Sequence, residues 1–336
     1  MVITSSVAGS SVAGSVNGPR PINPNQDFPQ LLQLLKIVFA DEMNSGGKQV
    51  FDNPFVGSNS AFLWRMDPFL SRLNSGFVWE EDARIVGNVT LLPTANPQRY
   101  LVANVAIQSG YRRRGIARAL MEEAQKAVKN RGGTEVRLQV ERENEPAKAL
   151  YISLGYTSLG TLTTWNLMNS RYVSPHEVYN PTYNKVGIVK LPSSRWEDAY
   201  RLDMMTKYAD LYWPDPLQRG EYRNNLKRRI SDFFSGKNFE AWAVFDNANH
   251  LHGVATINSE WGRAHLLRIR VYPSDTRGMD VLEQALIHKL LYRLQLLPRR
   301  QVRLLHDADD IAMNELLPTL RFRVDRSLTQ MRLDLK

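Results

Sequence analysis

Cysteine is missing from all 336 residues, which excludes disulfides, thiolate metal ligands and a cysteine nucleophile. Long apolar runs are missing too: none approaches the roughly 20 residues that cross a bilayer. The opening MVITSSVAGSSVAGSVNG has neither a basic start nor an extended apolar stretch, so neither a membrane span nor a secretory leader is expected, and a cytoplasmic location is. Histidine is scarce, with six in the chain and none before His176. Acidic residues are outnumbered, 34 against 43 Lys and Arg, for a net charge of +9. That balance suits anionic ligands, although a diffusely solvated basic surface produces it equally well.

What is present suffices for sizeable cores. At this length, with 43% hydrophobic residues, two domains are expected. The repeated SVAGS of residues 1–18 is too poor in large apolar groups to offset ordering entropy and reads as a disordered tail. Apolar positions from Phe28 towards Met43, and again over Ala61–Leu73, recur at helical spacing. Gly76–Glu80 and Ile85–Leu92 form a strand pair across the acidic turn at Glu81 and Asp82. Strand, helix, strand, helix, strand then follow: Arg99–Ile107, the helix opening near Gly115 and ending at Gly132 and Gly133, Glu135–Val140, Pro146–Leu154, and Tyr156 onward. Residues 171–185, broken by Pro175 and Pro181, read as a linker. A second series from 186 offers a helix at Asp198–Ala209 and strands at Phe239–Phe245, Leu251–Asn258 and Ala264–Tyr272. It continues with a helix at Val281–Leu294 and a strand at Gln301–Leu305.

The segment Arg112–Ala117, RRRGIA, stands between a strand and a helix. Unpaired backbone N–H groups at a helix start carry the positive end of the helix dipole and bind anions. Gly115 permits close approach to the backbone, Ala117 is nearly as small, and Arg112, Arg113, Arg114 and Arg118 add positive charge. A diphosphate is a natural ligand, and a solvated basic face is the alternative. No Gly-Lys-Ser/Thr follows, so the turn is not a Walker loop, and the three-glycine dinucleotide spacing is absent. Downstream, NEPAKALYISLGY places Asn144 at a helix start and Tyr151 one turn past Ala147.

Together VAIQSGYRRRGIARALM and NEPAKALYISLGY resemble the GNAT family of N-acetyltransferases, most clearly over Ala103–Tyr156 and more loosely over Pro19–Trp165. The first family motif falls on Arg112, Gly115 and Ala117, and the second on Asn144, Ala147, Leu150, Tyr151, Gly155 and Tyr156. The resemblance implies an α/β fold of α+β character, in which a mixed, mostly antiparallel sheet is flanked by helices. It implies acetyl-CoA as co-substrate, without a metal. The backbone of Val105, Ala106 and Ile107 would pair with the pantetheine, the turn of Arg112, Arg113, Arg114, Gly115, Ile116, Ala117 and Arg118 would hold the pyrophosphate, and Asn144 would bond the pantetheine region. Tyr151 would stand near the sulfur as the catalytic acid. The family's activity would be direct attack of a primary amine on the thioester.

A primary amine is protonated at neutral pH and must lose a proton, and the thiolate must gain one. Relatives often place a Glu on one of two splayed strands, where this chain has Leu101 and Gln139. Asp41, Glu42, Glu80, Glu81 and Glu141 are the remaining carboxylates considered, each also explicable as a surface group, so the base is unassigned. In the second half, VYPSDTRGMDVLEQALIHKLL aligns faintly with the first motif and DIAMNELLPTLRF with the second. Only Gly278 survives from the turn, while Asp310 replaces Asn144, Leu317 replaces Tyr151 and Arg321 replaces Gly155. Asp275, Asp280 and Asp310 would repel a diphosphate, so a second GNAT-like domain over residues 186–336 without coenzyme binding is expected beside the first over 19–170. His250 and His252, alternating with Leu251, read as a solvent-facing pair rather than a metal site.

A non-catalytic regulator that binds acyl-CoA is the alternative, and the missing strand carboxylates favour it. Nucleic-acid binding through Arg112–Arg114 or Lys227–Arg229, with Tyr222, Phe233 and Phe234 nearby, is not expected, because these clusters are small and interrupted by acids. No membrane partner is expected. The acceptor groove would be built from Asp41–Arg72, and neither the acceptor nor the oligomeric state is written in the sequence.

Overall fold

The structure is a computed structural model that describes residues 17–39, 75–94, 96–171, 186–205, 219–223, 236–272 and 279–336. The tail up to residue 16, the helix expected over Ala61–Leu73, the acceptor segment from 41 to 72 and the linker from 172 to 185 lie outside the described residues. Two compact units partition the chain: residues 1–136 with 334–336, and residues 137–333.

The first unit contains β1 (Gly18–Pro21), α1 (Pro24–Val38), β2 (Gly76–Glu81), β3 (Arg84–Pro93), β4 (Arg99–Ile107) and α2 (Ile116–Asn130). The four strands pair antiparallel in chain order. Asp82 and Ala83 both take positive φ, 51° and 60°, in the two-residue connection of β2 and β3. That twist suits a tight hairpin, which is why the sequence turns here without a glycine. Helix α1 begins at Pro24, four residues before the apolar pattern does. Asn23 caps it by accepting from the Asn25 N–H, and the proline occupies a position where no N–H is needed. Its face of Phe28, Leu31, Leu32 and Leu35 buries against Val78 and Ala106. On α2, Ile116, Leu120, Ala124 and Val128 are buried at the 3–4 residue spacing anticipated for one helical face.

The second unit is built from β5 (Glu135–Glu141), α3 (Glu145–Ser153), β6 (Thr157–Leu167), β7 (Ile188–Lys190), α4 (Trp196–Met204), β8 (Lys237–Phe245), β9 (Leu251–Glu260), β10 (His265–Val271), α5 (Met279–Leu294), β11 (Val302–Asp307), α6 (Ile311–Thr319) and β12 (Arg323–Asp334). Its strand order is β5-β12-β6-β11-β10-β9-β8-β7. β7, β8, β9 and β10 form an antiparallel series, and β10 pairs parallel with β11 through the α5 crossover. Leu286, Leu290 and Leu294, with Ile287 and Leu291, give α5 a fully buried double row over this sheet.

Two strands in this unit are interleaved. β12 lies between β5 and β6, while β6 pairs with β11 on its other side. The last strand of each series therefore completes the other series. Hydroxyl pairs reinforce the β6–β12 ladder, Thr161 with Thr329 at 3.2 Å and Thr163 with Ser327 at 2.9 Å.

The repeat is visible in backbone hydrogen bonds. Leu154, Gly155 and Tyr156 donate to Leu150, Ile152 and Tyr151, and 166 residues later Leu320, Arg321 and Phe322 donate to Leu316, Pro318 and Leu317. The left-handed residue after the helix is Gly155 in one case, with φ 89°, and Arg321 in the other, with φ 65°. A glycine adopts that conformation without strain, whereas an arginine there costs about 1 kcal/mol.

Candidate active site

In the first unit, β4 carries a bulge just before its expected ligand-facing end. Asn88 pairs with Ala106 but Thr90 with Ala103, so Asn104 and Val105 face the single residue Val89. Asn104 has φ 51°, and its carbonyl is held by the Asn88 side-chain amide at 2.8 Å. Both Asn88 and Thr90 are fully buried, which fixes the bulge from beneath. Ala106 points into the core, while Val105 and Ile107 are half-buried.

After β4 the chain makes one 3-10 turn, Ser109–Tyr111, and reaches Gly115, the N-cap of α2. Arg113 and Gly115 both have positive φ, 62° and 78°. No side chain caps this helix, unlike α1 and α3, and no acid stands in its first turn, unlike α1, α3 and α4. The positive helix end is thus left available to an anion. A Cβ added to Gly115 would meet nothing within 4 Å. The glycine serves the backbone conformation and the open space in front of it, a cradle that fits a diphosphate.

The arginines divide their work. Arg112 folds back so that its Nε donates to the Ile107 carbonyl at 3.2 Å. Arg114 grips both oxygens of Glu81 at 2.9 and 3.1 Å and lies over the Tyr111 ring. Arg113 and Arg118 are exposed, and Ala117 is half-buried. Ile116 is 2% exposed, so only its backbone can meet a ligand.

Gly87, which the motif reading did not single out, sets the height of the turn. A Cβ there would lie 3.0 Å from Ile107, Ile116 and Leu120 side-chain carbons, so its absence lets α2 settle onto β3 and β4. A lone glycine inside the apolar run RIVGNVTLLP is the sequence signal for such close approach.

In the second unit, Asn144 caps α3 by accepting from the Ala147 N–H at 3.2 Å, as its position predicts. Asn144 is exposed, and its amide nitrogen takes no part in the cap. Tyr151 is buried and packs at 5.9 Å against the ring of Tyr156. Burial pushes its hydroxyl up to about 12, against an ordinary value of about 10.

That value sharpens the acid chemistry expected of Tyr151. Complete proton transfer from a phenol at about 12 to a thiolate near 8.5 is uphill by roughly 5 kcal/mol. Tyr151 is therefore suited to hydrogen-bond donation to a departing sulfur, and it stays protonated throughout the neutral range.

The base positions gain no obvious carboxylate. Leu101 is buried in the core. Glu80 is paired with Arg20 at 2.5 Å and Glu81 with Arg114. Gln139 and Glu141 are half-buried, and Asp41 and Glu42 lie outside the described residues.

Of the degraded second motif, Gly278 and Asp275 lie outside the described residues. Asp310 caps α6 through the Met313 N–H at 3.0 Å, as Asn144 caps α3, and Leu317 is fully buried.

Residues 49–156 match the Acetyltransferase (GNAT) family. N-acetyltransferase 8B of Rattus norvegicus is 30% identical over 113 residues, covering 31% of this chain and 51% of that protein. N-acetyltransferase 8 of Homo sapiens is 30% identical over 126 residues, covering 35% and 55% respectively. The chain thus spans about half the length of the curated relatives it matches. A GCN5-related N-acetyltransferase from Sphaerobacter thermophilus superposes with a TM-score of 0.55 at 15% identity, over 94% of this chain and 95% of that one, a likeness of fold. The two motifs of residues 112–117 and 144–156 fall inside the segment that matches, so the likeness to the GNAT acetyltransferase family covers residues 49–156.

Proposed function

We propose that this chain is an N-acetyltransferase that passes the acetyl group of acetyl-CoA directly to a primary amine, with the coenzyme bound through the motifs of residues 105–118 and 144–151. The observation that carries the proposal is the start of α2: an uncapped, acid-free helix end behind an αL glycine, with arginines on its approach. Such a helix end binds anions, and the diphosphate of the coenzyme is the anion that acyl transfer from acetyl-CoA brings.

In the reaction the amine nitrogen bonds to the thioester carbon, the C–S bond breaks, one proton leaves the nitrogen and one reaches the sulfur. A backbone N–H near Ile107 would stabilise the oxyanion, and Tyr151 would donate a hydrogen bond to the leaving sulfur. The domain assignment belongs to the same proposal: residues 19–170 carry the working site and 186–336 a second half without coenzyme binding. Among the described residues no helix is long and apolar enough to cross a membrane. A cytoplasmic setting is part of the proposal.

Thiol release from acetyl-CoA, measured against a broad panel of amines, tests the activity. Tyr151→Phe is expected to lower the turnover number about ten- to hundredfold with little change in acetyl-CoA affinity, since only hydrogen bonding during C–S cleavage is lost. An unchanged turnover number removes the acid role. The buried Leu101 and the ion-paired Glu80 and Glu81 favour one alternative, a regulator that binds acyl-CoA without turnover. Coenzyme binding without thiol release from any amine would support it.

A further inference from the structure

A second cluster of chemistry-bearing side chains lies in the second unit, away from both GNAT motifs. His306 stands near the end of β11, Asp310 caps α6, and Glu283 lies in the first turns of α5. His306 Nε2 is 2.6 Å from Oδ2 of Asp310 and 3.9 Å from Oε2 of Glu283. The three donor atoms lie within 4.8 Å of one another. The His306 side chain is 6% exposed, and those of Glu283 and Asp310 are 15% and 22%.

Helix capping accounts for only half of Asp310. Its Oδ1 takes the Met313 N–H, whereas Oδ2 turns to the imidazole. An asparagine would cap equally well, as Asn144 does on α3. Asp310, Glu283 and His306 thus bring two carboxylates and one imidazole together from three elements in a poorly exposed place. A divalent cation compensates both carboxylates at once. One imidazole and two carboxylates, without thiolate, form a nitrogen and oxygen set that suits zinc(II) and leaves a coordination position open.

We propose that Glu283, His306 and Asp310 form a divalent-metal site, with zinc(II) the fitting ion. Tetrahedral coordination at about 2.1 Å separates neighbouring donors by roughly 3.4 Å. The His306–Asp310 contact of 2.6 Å opens and the His306–Glu283 distance of 3.9 Å closes to reach it, changes within the reach of side-chain rotation. The position is informative: the cap of α6 corresponds to that of α3, so the cluster occupies a corner where the first half keeps a neutral asparagine. A site of this kind fastens α5, β11 and α6 together.

The test is isothermal titration of the full chain with zinc chloride, in a His250→Ala/His252→Ala background. That background removes the exposed pair beside Asp246, whose ring nitrogens lie 3.2 and 3.3 Å from its carboxylate and could take zinc themselves. One zinc per chain is expected. Asp310→Asn keeps the helix cap, and it should weaken zinc binding at least tenfold with an unaltered circular dichroism spectrum. Glu283→Gln should do the same by a route that leaves the cap untouched. Cobalt(II) in place of zinc should show the intense visible bands of a four-coordinate ion, lost in both variants. No zinc uptake by the background chain, or equal uptake by the folded Asp310→Asn and Glu283→Gln variants, overturns the proposal.

Discussion

Gly115→Asp is expected to weaken acetyl-CoA binding about a hundredfold or more while the chain still folds. The two effects separate because of where Gly115 stands. It is exposed, its φ is 78°, and a Cβ there touches nothing within 4 Å. The folded state therefore loses only the αL penalty of about 1 kcal/mol, and aspartate is among the residues that tolerate this region. A carboxylate at the positive end of α2 offsets part of even that cost. For a diphosphate the same carboxylate is a like charge in its seat. At about 4 Å and an effective dielectric near 20 the repulsion is roughly 4 kcal/mol, above the roughly 2.8 kcal/mol that a hundredfold change requires. Gly115→Ala, which adds a methyl group but no charge, should cost only several-fold. Calorimetric titration with acetyl-CoA checks both variants, and affinity within threefold of the parent for Gly115→Asp would remove the turn as the pyrophosphate seat.

The largest effect on stability is expected from Asp203→Ala, about 3–5 kcal/mol in denaturant unfolding. Asp203 on α4 is fully buried, and its side chain receives Arg270 Nε of β10 at 2.8 Å and the Tyr222 hydroxyl. Arg270 is 10% exposed at its side chain. Removing the carboxylate strands that guanidinium in a poorly solvated place, which is why the loss far exceeds that of a surface ion pair. Replacing both partners by apolar residues, Asp203→Leu with Arg270→Met, should recover most of the deficit, since no unpaired charge is then left behind. A single-variant loss under 1 kcal/mol would mean that the pair is solvated and carries no structural weight.

The parts of this molecule that were legible in its sequence are those where one residue type is demanded by local backbone geometry. Gly115 and Gly155 occupy left-handed positions, Asn144 is a helix cap, and Ile116, Leu120, Ala124 and Val128 mark one face of α2. Each leaves its mark within a few residues, so the strand–turn–helix order of the two motifs could be read directly. The start of α1 was less visible. Its first turn is polar and rests on Asn23 and Pro24, so apolar periodicity placed the helix four residues late.

Other features depend on partners distant in the chain. Nothing local in Thr161, Thr163, Ser327 or Thr329 announces that β6 and β12 interleave, because only pairing across about 165 residues reveals the ladder. The burial that raises the Tyr151 hydroxyl is likewise a tertiary property, invisible in the helix sequence EPAKALYIS alone. His306 and Asp310 are four residues apart, but Glu283 reaches them from another helix, so no ligand spacing appears in the sequence. In the second half, Arg321 keeps the left-handed turn that Gly155 makes without strain. The backbone geometry is alike at the two positions, although only one of them has the glycine that serves it best.

The central claim is a coenzyme seat at the start of α2 and none in the second half. Isothermal titration of the full chain with acetyl-CoA tests it most directly. One molecule bound per chain, with the binding heat abolished by Gly115→Asp, is the predicted result. Two molecules per chain, or one whose binding is indifferent to Gly115→Asp, would contradict it.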